Sequence, residues 1–350
     1  MMRWFAALAL GLSALMAVPA QAADGPLIIA HRGASGERPE HTLAAYELAI
    51  DQGADFIEPD LVLTRDGVLI ARHENEISGT TDVASRPEFS DRMTTRVIDG
   101  QEMTGWFTED FTLAELKTLR AKERLPILRF ENAAYDGQFE VPTLAEILAL
   151  VKRKEAETGR RIGLYPEMKH PAYFEAALGL DMVDLLVEQL HAAGYDKASD
   201  PVFIQCFEVK PLLRANLRTD LRLVQLIAAE GGPVDIEDSS YALLASPYGL
   251  AQIAKYADGI GPDMRLVLQV DGSPTALVGN AHDAGLVVHA WTLRRENGFM
   301  PKPLRTNDNP RGVGALPVLM GLLVNGGVDG IFTDHPGAAV MLRESGNYEP

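Results

Sequence analysis

Five side chains near the start of the chain have the types that a reaction at a phosphate ester requires. His31-Arg32-Gly33, Glu58-Pro59-Asp60 and His73 fall within 43 residues, each at or just beyond a short apolar run. A divalent cation held by the carboxylates would neutralise the phosphoryl oxygens, and the guanidinium would bind the same oxygens as a fork. One imidazole would take a proton from the nucleophile while the other protonates the leaving group.

The two carboxylates are predicted to share one face of a strand. Glu58 and Asp60 are two residues apart in an apolar run, so their side chains point the same way, about 7 Å apart along the strand. Two such acids repel each other unless a cation lies between them. The alternative is a pair of solvent-facing acids near a sheet edge. Pro59 favours the end of the strand over its middle.

A tight turn would bring one histidine to these acids. Asp66-Gly67 is a strong signal for a two-residue hairpin turn. Such a turn would set Asp60 directly opposite His73, with β-carbons about 5 Å apart. A longer turn would shift this pairing.

Another apolar run ends in a third acid and a lysine. Glu167 and Lys169 share one face of a strand end. Glu167 can complete a three-carboxylate oxygen site for a hard divalent cation, and Lys169 can bind a phosphate oxygen; the alternative is a surface ion pair of little energetic value. Phe207 and Trp291 also lie at strand tips, where they would either line the pocket beside the alcohol part of a substrate or pack in the core.

Short apolar runs alternate with helical patterns along the chain. The predicted strands are Leu27–Ala30, Phe56–Thr64, Ile162–Glu167, Val202–Cys206, Leu221–Ile227, Ala257–Ile260, Leu286–Trp291 and Gly330–Thr333. The predicted helices are Thr42–Gln52, Thr143–Thr158, Tyr173–Ala193, Val209–Leu217, Thr275–Ala284 and Leu316–Asn325. The alternation predicts a parallel sheet, and eight units in this length predict a closed (β/α)8 TIM-type barrel with its active site at the strand ends.

Two long segments interrupt the alternation. Residues 74–142 are polar and irregular, with one helical piece at Leu113–Leu119, and indicate an insertion after the second strand. Residues 292–315 form a second long loop. Its basic side chains are Arg294, Arg295, Lys302, Arg305 and Arg311. Both segments are expected to overhang the site, and the alternative is that both are solvated covers.

The start of the chain has the pattern of a cleavable signal peptide at residues 1–22. Arg3 gives it a basic start, an apolar stretch follows, and Ala20-Gln21-Ala22 supplies a small-residue cleavage signal. The alternative is an uncleaved anchor. We expect residues 23–350 to form one barrel domain, periplasmic or secreted, without stable membrane insertion after signal cleavage. Cys206 is the only cysteine, so no internal disulfide is expected.

The formal net charge of −17 speaks against nucleic acid and anionic membranes as partners. The same field would repel an anionic phosphodiester. A bound cation and local arginines are therefore needed to reverse the sign of the potential where substrate binds.

Taken together, these residues resemble the glycerophosphodiester phosphodiesterase family, and most of all its periplasmic bacterial branch. The matching segments run in family order from about residue 27 to 345. They are His31-Arg32-Gly33-Ala34-Ser35-Gly36, Pro39-Glu40-His41-Thr42, Glu58-Pro59-Asp60, Thr64-Arg65-Asp66-Gly67, His73, Tyr165-Pro166-Glu167-Met168-Lys169, Gln205-Cys206-Phe207, Ala257-Asp258-Gly259-Ile260-Gly261-Pro262 and Phe332-Thr333-Asp334. The resemblance implies a TIM-type barrel with an insertion after strand two, and a divalent metal that is calcium in the periplasmic branch, with magnesium as the alternative.

The resemblance also implies roles for particular side chains. The acid–base pair would be His31 and His73. The metal ligands would be Glu58, Asp60 and Glu167. The phosphate would be bound by Arg32 and Lys169, and Trp291 would contact glycerol. Asp334 ends the last strand, where capping of the next helix explains it equally well.

The expected reaction is hydrolysis of a glycerophosphodiester to sn-glycerol 3-phosphate and an alcohol. The nucleophile is either the neighbouring glycerol hydroxyl, which gives a cyclic phosphate, or water, and either histidine can act first. One alternative function is a phospholipase-type phosphodiesterase acting on intact phospholipid. Another is an exported protein that binds phosphodiesters without turnover.

Overall fold

The sheet is built on eight parallel strand positions. The computed structural model describes residues 25–349, so the predicted signal peptide at 1–22 lies outside the described residues. Within this range the strands are β1 (Leu27–His31), β2 (Phe56–Glu58), β3 (Asp60–Leu63), β4 (Leu69–Ala71), β5 (Thr94–Ile98), β6 (Gln101–Gly105), β7 (Gly163–Leu164), β8 (Glu167–Met168), β9 (Phe203–Cys206), β10 (Arg222–Ile227), β11 (Gly259–Pro262), β12 (Val287–Leu293) and β13 (Gly330–Thr333). Every predicted strand is present, with bounds within two residues of the prediction.

Two barrel strands are each split into halves. β2 and β3 are interrupted at Pro59, which has no amide hydrogen to donate, and β7 and β8 are interrupted at 165–166. Across these gaps Tyr165 N donates to Ile57 O and Glu167 N donates to Pro59 O, both at 2.9 Å. The parallel order therefore runs β1, β2/β3, β7/β8, β9, β10, β11, β12, β13 and back to β1. The predicted (β/α)8 barrel is confirmed.

The helices surround this ring. They are α1 (Leu43–Asp51), α2 (Leu113–Leu116), α3 (Leu144–Thr158), α4 (Pro171–Leu178), α5 (Met182–Ala192), α6 (Val209–Ala215), α7 (Tyr241–Leu244), α8 (Pro247–Ile253), α9 (Met264–Val267), α10 (Leu277–Asp283), α11 (Leu316–Asn325) and α12 (Pro336–Ser345). The single helix predicted at 173–193 is wrong. α4 ends at Gly179 in the left-handed conformation, with φ of 68°, and Asp181 caps α5 through Val183 N.

The segment between β4 and α3 lies over one end of the barrel. It contains the β5–β6 hairpin, α2 and several short turns. Its buried aromatic residues Phe89, Phe107 and Phe111 fix it to the core. Asp99, in the turn of the hairpin, reaches the cavity at the barrel mouth.

Large side chains fill the barrel interior. Ile29, Phe56, Tyr165, Phe203, Val224 and Phe332 form a buried cluster inside the ring. Tyr165 Oη hydrogen-bonds His289 Nδ1 at 2.7 Å in the same layer. This packed layer is a rigid floor beneath the strand ends. Among residues 25–349, no helix combines the length and apolar character that crossing a bilayer requires.

Candidate active site

A cavity of about 630 Å³ opens at the carboxyl ends of the barrel strands. It is lined by all nine residues predicted from the sequence: His31, Arg32, Glu58, Asp60, His73, Glu167, Lys169, Phe207 and Trp291. The strand register explains this convergence. His31 pairs with Glu58, and Asp60 pairs with Glu167, so the tips of consecutive strands lie side by side.

A sharp turn after β1 holds Arg32 over the acids. Arg32 and Gly33 both have positive φ, 60° and 83°. In this conformation Arg32 N donates to Glu58 Oε2 at 2.7 Å, and the Arg32 guanidinium donates to Glu40 at 3.1 Å. The left-handed region favours glycine, and a β-carbon on Gly33 would lie 2.7 Å from the Ala45 carbonyl carbon.

We expect Gly33→Ala to lower the free energy of unfolding by about 1–3 kcal/mol, because it combines a left-handed backbone with a backbone clash. Chemical denaturation measures this change. The matched control is Gly279→Ala in α10, where an added β-carbon meets nothing within 4 Å. That variant should be as stable as the parent or slightly more stable. Equal stability of the two variants would contradict the prediction.

Three buried carboxylates form a compact cluster. Glu58, Asp60 and Glu167 each offer an oxygen, and these oxygens lie within 4.8 Å of one another. Lys169 Nζ lies 2.7 Å from Glu167 Oε1 and 3.4 Å from Asp60 Oδ1, but it is not aligned for a hydrogen bond. Asp60 Oδ1 accepts no hydrogen bond, and Glu167 Oε1 has only the Lys169 ammonium beside it. Leaving buried carboxylate oxygens without hydrogen bonds costs free energy. A hard divalent cation is the kind of ion that three clustered carboxylates bind.

The pKa values of the three clustered acids are also consistent with a cation site. Burial and the neighbouring acids raise the pKa of Glu58 well above its usual range. Burial also raises the pKa of Glu167 to about 8, with Asp60 adding to the effect and Lys169 opposing it. Burial would raise the pKa of Asp60 too, but Lys169 and His73 hold it well below its usual range. The three carboxylates therefore favour being ionised together only when a cation is bound between them.

Two further side chains hold the clustered carboxylates in place. Gln205 Nε2 donates to Glu58 at 3.2 Å. His41 Nε2 is 2.8 Å from Asp60 Oδ2, while its Nδ1 is 2.7 Å from Tyr46 Oη. His41 and Gln205 lie in segments that matched the family pattern, but the sequence analysis gave them no role. Second-layer contacts of this kind fix ligand orientation.

Both candidate acid–base imidazoles are backed by a carboxylate. His31 Nδ1 lies 2.6 Å from Asp334 Oδ1, and His73 Nδ1 lies 2.5 Å from Glu74 Oε1. A carboxylate accepts at Nδ1–H, so this network assigns the proton to Nδ1 and leaves the Nε2 lone pair free in the neutral ring.

The partly buried surroundings and the neighbouring cations favour the neutral form of both rings at pH 7. Burial lowers the pKa of His31 to about 4, with Arg32 adding to the effect. Burial, Arg32 and Lys169 lower the pKa of His73 to about 3. A neutral imidazole with a free Nε2 is a proton acceptor, which is the form a general base must have.

The hairpin that delivers His73 differs from the predicted one. Thr64 N donates to Val68 O at 3.1 Å, so the turn has three residues, 65–67, and ends with Gly67 at φ 76°. The predicted pairing of Asp60 with His73 is therefore wrong by one residue. Arg72 N donates to Asp60 O at 3.0 Å instead. His73 still reaches the cavity because β4 ends at Ala71 and the chain then leaves the strand.

The helix-capping role considered for Asp334 is also wrong. The capping position of α12 is His335, which makes no side-chain capping bond. The Asp334 carboxylate binds His31 at 2.6 Å, Arg129 at 2.6 Å and Arg294 at 2.8 Å. Asp334 is buried and binds these three side chains, so it belongs to the site.

Aromatic rings form the wall opposite the acids. Phe207 and Trp291 meet edge to face with centroids 5.9 Å apart, and Trp291 Nε1 donates to Gly261 O at 2.8 Å. From the loop at 292–315, Arg294 and Phe299 line the cavity. The other basic residues of that loop do not line the cavity, so only its first part overhangs the site as expected.

Comparison with known proteins identifies the family. The model of the glycerophosphoryl diester phosphodiesterase family matches residues 31–338. The chain belongs to this family. The phosphodiesterase is 38% identical to glycerophosphodiester phosphodiesterase GDPD6 of Arabidopsis thaliana, over 91% of this chain and 86% of that protein. It is 31% identical to a glycerophosphodiester phosphodiesterase of Haemophilus influenzae, over 90% and 88% of the two chains. It is thus a phosphoric diester hydrolase.

Solved structures resemble the phosphodiesterase in fold. A putative glycerophosphoryl diester phosphodiesterase from Silicibacter pomeroyi matches with a TM-score of 0.65 and 22% identity, over 93% of this chain and 95% of that chain. An Oleispira antarctica phosphodiesterase, solved in complex with the product sn-glycerol-3-phosphate, matches with a TM-score of 0.61 and 22% identity, over 91% and 97%. These similarities support the barrel fold.

Sequence reasoning missed the supports of the histidines in this phosphodiesterase. Glu74 follows His73 directly, and that adjacency was an available signal. For Asp334 the sequence pattern fits helix capping as well as a place in the site. Arg124 and Arg129, which bind these two carboxylates, lie in an irregular segment with no periodicity, so the sequence carried no signal for them.

Proposed function

We propose that this phosphodiesterase hydrolyses glycerophosphodiesters to sn-glycerol 3-phosphate and an alcohol. One observation carries the proposal: a cluster of three buried carboxylates and two carboxylate-backed imidazoles line the same cavity. The names of the curated relatives support the choice of substrate. Binding alone does not require two rings held with their Nε2 atoms free for proton transfer.

The metal ligands in this proposal are Glu58, Asp60 and Glu167, and the cation is calcium, with magnesium as the alternative. The clustered oxygens of these three buried carboxylates fit an oxygen-preferring divalent ion. A bound ion of this kind would supply Lewis-acid stabilisation of the charge on the phosphoryl oxygens.

The remaining residues place the substrate. Arg32 and Lys169 supply positive charge for the phosphate in a protein of net charge −17. Arg32 Nε makes no hydrogen bond and lies 3.4 Å from Asp60 Oδ2, so its N–H is available to a phosphate oxygen. Phe207 and Trp291 provide an apolar wall for the carbon skeleton of the glycerol or alcohol.

The imidazoles move the protons. Nε2 of one ring accepts the proton of the glycerol hydroxyl next to the ester while that oxygen attacks phosphorus. The bond from phosphorus to the alcohol oxygen breaks, and the second ring protonates the departing alcohol, leaving a cyclic phosphate. Substrate phosphate raises the pKa of the nearby rings, which allows one of them to carry this proton. Water then opens the ring with the roles reversed. Direct attack by water is the alternative, and accumulation of cyclic phosphate separates the two routes.

An assay of purified protein with glycerophosphocholine tests the function. We expect a chelator to abolish release of glycerol 3-phosphate and calcium to restore it, because the bound cation would stabilise the charge that develops on the phosphoryl oxygens. Full activity in the metal-free protein would eliminate the carboxylate site. Intact phosphatidylcholine is the control substrate, and equal turnover of it would favour a phospholipase-type activity instead.

Export is a further part of the proposal. The pattern of residues 1–22 supports a periplasmic or secreted enzyme of the periplasmic branch. Cell fractionation with N-terminal sequencing of the product tests it, and an intact residue 1 in the cytosolic fraction alone would contradict it.

A further inference from the structure

Two arginines reach the site from the irregular segment between β4 and α3. Arg124 forms a double fork: it donates to Glu74 at 2.9 and 2.6 Å and to Glu40 at 2.8 and 2.6 Å. Glu74 is the carboxylate behind His73. Arg124 thus restrains the partner of one imidazole.

Arg129 occupies the equivalent place behind the other imidazole. Its Nη2 donates to Asp334 Oδ2 at 2.6 Å, while Asp334 Oδ1 binds His31. Glu296 accepts from its Nε at 2.5 Å, and the Ser35 carbonyl accepts from its Nη1 at 3.1 Å. Arg129 is only 7% exposed, so this network lies in a medium where such bonds are strong.

One compact turn sets both arginines. Arg129 N donates to Leu125 O at 2.8 Å, and Leu125 N donates to Glu123 Oε1 at 2.8 Å. Asn132 Nδ2 donates to the Ser35 carbonyl at 3.2 Å, which anchors the turn to the loop after β1. The two guanidiniums are therefore fixed relative to the barrel mouth by backbone contacts as well as by their own bonds.

We propose that Arg124 and Arg129 are positioning residues for the phosphodiester reaction, each holding the carboxylate that orients one acid–base imidazole. The inference rests on the proposed function. In each case the imidazole and the guanidinium bind the same carboxylate. A carboxylate held by a guanidinium cannot rotate away from Nδ1, so the ring keeps Nε2 directed into the cavity.

The two arginines are not equivalent. Asp334 also accepts from Arg294 Nε at 2.8 Å, so it keeps one guanidinium partner when Arg129 is removed. Glu74 has only Arg124 and His73 as side-chain hydrogen-bond partners within residues 25–349. Arg124 also holds Glu40, which accepts from Arg32 at 3.1 Å. Loss of Arg124 thus disturbs both proton transfer and phosphate binding.

Arg124→Met and Arg129→Met, measured with glycerophosphocholine and saturating calcium, test the inference. We expect Arg124→Met to lower kcat about 100-fold and to raise KM, and Arg129→Met to lower kcat about 10-fold with little change in KM. Arg120→Met is the matched control, because Arg120 lies in the same segment and donates to the carbonyls of Lys117 and Leu119. It should retain parental kcat.

Two further measurements separate positioning from folding. Arg124→Lys and Arg129→Lys keep the charge but cannot form the fork, so they should fold with near-parental Tm and still lose kcat. In Arg124→Ala, added guanidinium should restore part of kcat. The NMR signals of the histidine Nδ1 protons should change in the lysine variants and not in Arg120→Met.

The outcomes are distinguishable. Absence of glycerol 3-phosphate release by the parent enzyme would overturn the proposed function itself. An active parent that is disabled by His73→Ala, together with folded lysine variants at parental kcat and unchanged Nδ1 proton signals, would overturn the positioning role alone.

Discussion

We expect His31→Ala or His73→Ala to lower kcat with glycerophosphocholine by a factor of about 100 or more, because each variant removes one of the two proton-transfer groups. KM should change much less, since Arg32 and Lys169 still face the cavity. Steady-state kinetics at saturating calcium measure both constants.

His282→Ala is the matched control for this experiment. His282 lies in the last turn of α10 and binds Asp329 at 2.9 Å, and it does not line the cavity. It should retain parental kcat. Near-parental turnover by either His31→Ala or His73→Ala would overturn the acid–base assignment, whatever the metal requirement proves to be.

We expect Glu167→Gln to remove the response to calcium and, without metal, to stabilise the fold. The pKa of Glu167 in the folded chain is about 8, against an ordinary value of 4.5. The folded state therefore holds this proton more tightly than the unfolded state. Its contribution to stability is lost progressively as the pH rises from about 4.5 to about 8. The amide carries no such penalty, and its oxygen can still face Lys169.

Thermal unfolding at pH 8, with chelator and with calcium, measures both effects. Calcium at 100 times its Kd should stabilise the parent by about 2.7 kcal/mol and should leave Glu167→Gln unchanged. Glu208→Gln is the control, because burial also raises the pKa of Glu208 to about 8 but Glu208 is not one of the clustered acids. It should keep the calcium response. An equal calcium response in Glu167→Gln would contradict the proposed metal site.

The main architecture and the first layer of the site could be predicted from local patterns. Apolar runs and helical periodicity mark strands and helices, and in a parallel barrel every strand end lies at the same rim. His31, Glu58, Asp60 and Glu167 were therefore expected at one rim once the strands were found, and the register then placed them side by side. The long predicted helix failed at Gly179, where a left-handed residue outweighs the apolar pattern on either side.

What the amino-acid sequence alone determined here is the set of reactive groups and the rim on which they lie, because both follow from residue type and short-range periodicity. Only the tertiary structure decided what holds them. A three-residue turn, rather than two, moved the pairing by one residue. Arg129 meets Asp334 across 205 residues of chain, and Arg124 meets Glu40 across 84. Contacts at such separations depend on how irregular segments pack on the finished barrel, and no local pattern encodes that packing.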